Sequence, residues 1–383
     1  MNTLGLYIHI PFCKSKCRYC DFCSFPHPKE DTVDAYLTAL SHEIETESAK
    51  LTEKYGSAPV ADTVFFGGGT PTLLTAEQFD RLTQTLFRCF RIDGNAEITA
   101  ECNPATADRD YFRALRQMGI NRLSVGAQSM NDDELKTLGR LHRSDDVLRT
   151  VSDARNAGFE NLSVDVMFGI PGGTLESLSD TLDCLMRLSP EHISVYGLQI
   201  EDGTYFARHR NELVLPDEDT ERQMYTRIRS LLADRGLHRY EISNYAKPGM
   251  ESHHNLKYWR REDYLGLGLA AHSCLGDLRF SNTESLPDYL AGNRRDTCET
   301  VSDHDIVCEK IMLGMRLAQG VDFSVLSHEH GPHVLRYRDK LAQYEKNGLV
   351  SIRNDTVAFT EDGMYVSNAL LAEVLDFSDE TDT

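Results

Sequence analysis

Four of the chain's ten cysteines stand at positions 13, 17, 20 and 23, and no other feature narrows the possible folds as far. The first three follow an apolar run, residues 4–10, and are spaced three and two residues apart. Thiolates gathered this closely on a loop behind a strand converge on one soft metal centre. Three ligands to a four-iron centre leave one iron open, which is what chemistry requires. Zinc is the alternative, since four thiolates can close a tetrahedral structural site, but such sites usually draw Cys-x-x-Cys pairs from two knuckles. Cys23 would close the centre if it ligated, so it reads as a neighbouring free thiol or an accessory ligand. Tyr19, inside the loop, either packs on a cofactor or anchors the loop. The other six cysteines are scattered singly, which is not a disulfide framework and fits a reducing compartment.

Up to about residue 200, short apolar runs alternate with amphipathic ones. Strand-like runs fall at 4–10, 63–66, 97–101, 122–126, 162–168 and 193–199, and helical patterns at 31–53, 76–89, 107–118, 144–157 and 175–187. Such alternation implies βαβ units and a parallel sheet, either open or rolled into a partial barrel. Glycine and polar residues cluster behind the strands, at the end where ligands bind in both architectures. Residues 205–300 are less regular, with a helix near 218–234, a short strand near 239–242 and a glycine-rich run at 266–269. From about 303 the texture becomes helical (304–318, 322–328, 332–346), stops at Asn347-Gly348, and ends in a hairpin around Asn354-Asp355.

Helices followed by a hairpin resemble a winged helix. The formal net charge of −20 opposes binding to phosphate backbones, so this region reads as a packing or lid domain and no nucleic-acid partner is expected. The chain has no apolar run of about 18 residues and no basic stretch ahead of its first strand. A cytoplasmic protein without a transmembrane segment is expected, with an acidic, frayed tail over 376–383.

Residues 66–72 read Phe-Gly-Gly-Gly-Thr-Pro-Thr behind the second strand. Glycines there let the backbone approach a ligand closely and leave carbonyls to receive an ammonium group. Glu101, Gln128 and Asp165 fall at or near the ends of the third, fourth and fifth strands. Each alone is an ordinary satisfied polar residue of a barrel; together they suit a polar ligand carrying hydroxyls and an ammonium group. Arg140, in Leu-Gly-Arg-Leu-His, is placed to pair with a carboxylate.

Cys-x3-Cys-x2-Cys behind a first barrel strand is the signature of radical S-adenosylmethionine (SAM) proteins. Taken with it, residues 7–13 (YIHIPFC), 67–72 (GGGTPT), 101–104 (ECNP), 124–129 (SVGAQS) and 165–172 (DVMFGIPG) resemble the oxygen-independent coproporphyrinogen III oxidase superfamily, in order from about residue 4 to 370. The resemblance implies an α/β fold: a partial (β/α)6 radical SAM barrel with a small C-terminal helical, winged-helix-like domain. It implies a barrel over 1–240, a connecting segment over 241–300 and a C-terminal domain over 301–383. It places Cys13, Cys17 and Cys20 on a [4Fe–4S] cluster. It also places Tyr7, Tyr19, Gly68, Gly69, Thr70, Glu101, Gln128, Arg140 and Asp165 around SAM.

That superfamily holds true oxidases, which decarboxylate two propionates of coproporphyrinogen III, and HemW-type haem chaperones, which bind haem and pass it on. The oxidases carry a fourth cysteine two positions after the third, where this chain has Phe22. They also carry a longer N-terminal extension, whereas this chain starts twelve residues before Cys13. Residues 253–259 read HHNLKYW, and His254, Asn255, Tyr258 and Trp259 resemble the chaperones' haem-associated motif. An imidazole can bind iron and aromatic rings can pack on the macrocycle. His253, and more weakly His272, are alternative ligands. The expected function is therefore a haem chaperone carrying a [4Fe–4S] cluster and SAM. Its partners would be haem and acceptor haem proteins, respiratory and membrane-bound ones among them. The alternative is the oxidase.

Overall fold

The computed structural model describes residues 3–377; of the acidic tail, 378–383 lie outside the described residues. The chain builds one twelve-stranded sheet with helices over the parallel part, and a separate C-terminal cluster of helices with a three-stranded sheet.

Six strands run parallel in sequence order: β1 (Leu4–Ile10), β2 (Val60–Gly68), β3 (Arg91–Cys102), β4 (Arg122–Gln128), β5 (Asn161–Phe168) and β6 (His192–Gly197). Their sequences explain the arrangement. β4, for example, is buried along its whole length, as a strand must be when both faces are covered. The connecting helices are α1 (Glu30–Tyr55), α2 (Ala76–Cys89), α3 (Arg109–Gln117), α4 (Ser144–Asn156) and α5 (Leu175–Met186). The start of α2 is fixed by a capping box: Thr75 Oγ1 accepts from Gln78 N–H at 3.1 Å and Gln78 Oε1 accepts from Thr75 N–H at 3.0 Å. After α6 (Glu218–Asp234), short strands β7 (His238–Arg239) and β8 (Asn244–Ala246) close the β6 edge in antiparallel fashion. The sequence placed one strand at 239–242; the chain instead turns there and splits it in two.

Residues 241–300 depart from a plain connector. Helix α7 (His253–Trp259) leads into β9 (Tyr264–Leu267), which lies parallel to β1 on its outer side and pairs Tyr7 with Gly266. A meander of β10 (His272–Leu275), β11 (Leu278–Asn282) and β12 (Arg295–Thr300) then extends the sheet to its other edge. The partial barrel thus has a seventh parallel strand. The glycine-rich run that disguised it is required by packing: a Cβ on Gly266 would lie 2.1 Å from the carbonyl oxygen of His272.

The C-terminal region has helices Asp303–Gly314, Phe323–His330 and Leu335–Ala342, then the hairpin Val350–Arg353 with Thr356–Phe359, which also pairs with Val321–Asp322. It encloses its own core, including Ile311, Phe323, Tyr337 and Val357. It is tied to the barrel through buried Glu309, which accepts from Arg261 at 2.6 Å and from Arg279 at 2.5 Å. No helix among the described residues is long and apolar enough to cross a membrane.

Candidate functional site: the mouth of the barrel

The cysteine loop leaves β1 at the C-terminal end of the sheet. His9 sets its course: its ring hydrogen-bonds Cys23 O at 3.0 Å through Nε2, so that nitrogen donates and Nδ1 accepts from the Tyr7 hydroxyl, also at 3.0 Å. The glycine triplet at the end of β2 passes directly beneath. Gly68 has φ +108° and a Cβ there would lie 2.4 Å from the His9 ring; a Cβ on Gly69 would lie 2.7 Å from Phe12 O. Only glycine lets these two segments touch.

Cys13, Cys17 and Cys20 line one cavity of about 390 Å³ together with Tyr19, Gly68, Gly69, Thr70, Glu101, Gln128, Arg140 and Asp165. Every member of the expected cluster and SAM set except Tyr7 is therefore brought to this mouth. Tyr7 lies a layer deeper, in a second polar cavity of about 220 Å³ that it shares with Glu101 and Asp165. Cys23 does not line the mouth; its thiol points to Glu284 O at 3.7 Å. All ten cysteines are free thiols. Burial pushes the thiols of Cys13 and Cys20 up, that of Cys20 to about 11. Bound iron reverses this preference, because a coordinating thiol is deprotonated outright. Three loop thiols line the cavity, and the other thiol in its lining, Cys102, is buried at the end of β3 with its Sγ on Asn103 O at 3.5 Å, so the set suits an iron–sulfur cluster with one open iron better than a closed zinc site.

Charged and strained groups surround the thiols. Burial, and then the neighbouring Asp165, push the Glu101 carboxyl up to about 8, although Gly68 N–H donates to it at 3.1 Å. Ser124 Oγ donates to Asp165 at 3.0 Å. Gln128 sits at φ +67°, a conformation L-residues other than asparagine and aspartate rarely adopt, and accepts from Tyr196 OH at 2.8 Å. Arg140 is already engaged: its guanidinium donates to Asn103 Oδ1 at 2.7 Å, to Gly126 O at 2.5 Å and to Cys17 Sγ at 3.6 Å. Asn103, Ser124 and Tyr196 were not singled out from sequence. Asn103 and Ser124 lie in quoted motifs and Tyr196 near a strand end, but a polar residue there carries no further signal.

The haem-associated motif lies elsewhere. Helix α7 closes the other end of the barrel, its first amides bound to Glu97 near the start of the core run of β3. His254 is 1% exposed; its Nδ1 hydrogen-bonds Thr63 Oγ1 at 2.8 Å and its Nε2 hydrogen-bonds Tyr258 OH at 2.9 Å. Burial, then Lys257 and Arg122, push the imidazole down to about 3, so it is neutral. Asn255 and Tyr258 line the deeper cavity with it, and Trp259 is half-buried. As placed here, the motif forms the barrel floor, and both nitrogens of His254 are occupied. His253 is exposed at the start of α7, and His272 is exposed at the start of β10.

Comparison with known proteins agrees with this architecture. Residues 7–185 match the radical SAM superfamily, and 301–366 match the HemN C-terminal domain. The structure of coproporphyrinogen III oxidase (HemN) from Escherichia coli superposes with a TM-score of 0.85 over 97% of this chain and 89% of that one, at 24% identity, which establishes a shared fold. Barrel, cysteine loop and C-terminal domain thus define a radical SAM protein of HemN-like build. Heme chaperone HemW of Bacillus subtilis (strain 168) is 36% identical over 96% of this chain and 98% of its own length. Heme chaperone HemW of Escherichia coli (strain K12) is 38% identical over 97% and 98%. The chain belongs to the HemW family.

Proposed function

We propose that this protein binds haem and delivers it to acceptor haem proteins, with a [4Fe–4S] cluster on Cys13, Cys17 and Cys20 and SAM beside it. The observation that carries the reading is the rim of the mouth. Phe22, which stands where the oxidases have a cysteine, is 63% exposed; Leu141 is 69% exposed and Tyr205 40%. Exposed apolar side chains on the loops round the thiol-lined cavity suit a flat apolar ligand presented for hand-over. Identity to proteins named heme chaperones over nearly the whole chain supports the same reading. The HemN-like fold is the argument for the alternative, an oxidase.

When bound, the cluster supplies the electron that reduces the SAM sulfonium. Around it, Gly68, Gly69 and Thr70 give backbone access to the methionine end of SAM. Glu101 and Asp165 offer acceptors for ammonium and ribose hydroxyls, Gln128 is held in place by Tyr196, and Tyr19 closes the side of the cavity. Arg140, bound to Asn103 and Cys17, fixes the loop as well as offering charge to a carboxylate.

Two tests follow. The anaerobically reconstituted protein, given coproporphyrinogen III, SAM and a low-potential reductant, should yield no protoporphyrinogen; its formation would replace the carrier reading with the oxidase. SAM affinity should also depend on pH. Below about 8 the free carboxyl of Glu101 is largely protonated, while an ammonium partner needs it ionised. Binding then expels a proton, so affinity rises by up to about tenfold per pH unit toward the Glu101 pKa, and falls again above about pH 8 as the ligand's own α-amino group loses its proton. Calorimetric titration of Glu101→Gln should show weaker binding without the rise between pH 6.5 and 8. A wild-type affinity flat from pH 6.5 to 8.5 would remove Glu101 from that role.

A further inference from the structure

We propose that the C-terminal region holds a structural divalent metal ion of the zinc class on His304, Cys308 and Asp376. Among the described residues these are the only three histidine, cysteine or acidic side chains whose ligand atoms all lie within 4.8 Å of one another. None of them lines the barrel mouth, so the site is separate from the cysteine loop.

The spacing is that of a shared ion. His304 and Cys308 stand four residues apart on the helix Asp303–Gly314, which puts both side chains on one face. Cys308 is fully buried, and its Sγ lies 3.9 Å from His304 Nε2. Zinc–sulfur and zinc–nitrogen bonds of about 2.3 Å and about 2.0 Å, meeting at a tetrahedral angle, set those two atoms about 3.6 Å apart. Asp376 arrives from beyond the helix Ser367–Val374, and its backbone carbonyl lies 2.5 Å from His304 Nε2. Its carboxylate accepts from the Tyr337 hydroxyl, which also stands 3.3 Å from Cys308 Sγ. Outer partners of this kind typically orient metal ligands.

Charge and protons balance. A divalent ion, a thiolate and a carboxylate sum to zero, so Arg336, which donates to Asp376 at 3.4 Å, meets no excess positive charge. Binding releases the Cys308 proton to solvent. It also moves the imidazole proton from Nε2, which donates to Asp376 O, to Nδ1. The carbonyl so freed, or a water, takes the fourth position. The ion then clips together residues 72 positions apart, near the two ends of the C-terminal region, and closing so long a loop is where a clip stabilises most. Asp376 lies beyond residues 301–366, the part matched to the HemN C-terminal domain, so the chain's own tail completes the site.

The anaerobically reconstituted holoprotein would be dialysed against zinc and analysed for zinc and iron separately. One zinc per chain is expected beside the cluster iron, and X-ray absorption at the zinc edge should show a single sulfur among nitrogen and oxygen neighbours. In competition with a chelating dye, His304→Ala, Cys308→Ala and Asp376→Asn should each bind zinc about tenfold or more weakly. Asp376 is half-exposed, so its variant tests the site without disturbing the core. Cys298→Ala removes an exposed thiol and should bind zinc as the wild type does. The proposal is overturned if the wild type binds no stoichiometric zinc, or if two or more sulfurs surround the ion, which would assign it to the cysteine loop. It is equally overturned if His304→Ala or Asp376→Asn, folded by circular dichroism, matches the wild type in affinity.

Discussion

Replacing any one of Cys13, Cys17 or Cys20 with alanine should abolish the cluster, lowering iron and sulfide per chain after anaerobic reconstitution by at least about tenfold. The three thiols sit together on the loop, and the other thiol in the cavity's lining, Cys102, is buried at the end of β3 with its Sγ on Asn103 O, not on the loop where a lost ligand would be replaced. A cluster held by two thiolates has two open irons exposed to solvent, and its thiolate ligands carry the binding energy. Cys23→Ala is the internal control. Its thiol is turned toward Glu284 O, so that variant should keep its iron and its visible absorbance. Iron analysis and absorbance would decide the matter: full iron in Cys17→Ala, or loss of iron in Cys23→Ala, would require a different ligand set.

Glu97→Ala should cost about 3–5 kcal/mol of stability, the range for stripping one partner from a buried ionic cluster. Glu97 is 7% exposed and holds the barrel floor in place. It accepts from His253 N–H at 3.1 Å, His254 N–H at 3.0 Å and Ser252 Oγ at 3.4 Å, and stands 4.0 Å from the Nε of fully buried Arg122. Arg122 Nε has no hydrogen-bond partner among the described residues, so removing the carboxylate strips that guanidinium of the counter-charge 4.0 Å away and leaves only the more distant Asp165 to offset it. Glu97→Gln keeps an acceptor for the helix amides and should lose less. Urea unfolding of the three proteins measures this directly. A Glu97→Ala midpoint within about 0.5 kcal/mol of wild type would show that α7 is held by something else.

The parts of this molecule legible from sequence are those governed by local pattern. The strand over 4–10 is recovered to the residue, because an unbroken apolar run followed by a cysteine loop allows little else. The hairpin at 350–359 follows from Asn354-Asp355, with Asn354 at φ +55°, as a tight turn demands. The mouth was legible because its residues sit at strand ends, a position that topology alone makes functional. The floor was not. His254 reads as an open imidazole in a string of letters, yet Thr63, 191 positions away, and Tyr258 claim both its nitrogens. Likewise β9 was hidden, because Gly266 is chosen for close contact with His272 and carries no strand propensity of its own. Arg140 reads only as a partner for a carboxylate, yet it lines the mouth already held by Asn103 and Gly126 O.

The central claim is that this HemW-family chain is a haem carrier built on a radical SAM centre. Equilibrium titration of hemin into the anaerobically reconstituted protein tests it most directly. The account predicts saturation at one haem per chain with a dissociation constant in the micromolar range or tighter, followed by loss of the bound spectrum when an apo haem protein is added. Absence of saturable binding, or bound haem that no acceptor can withdraw, would contradict it.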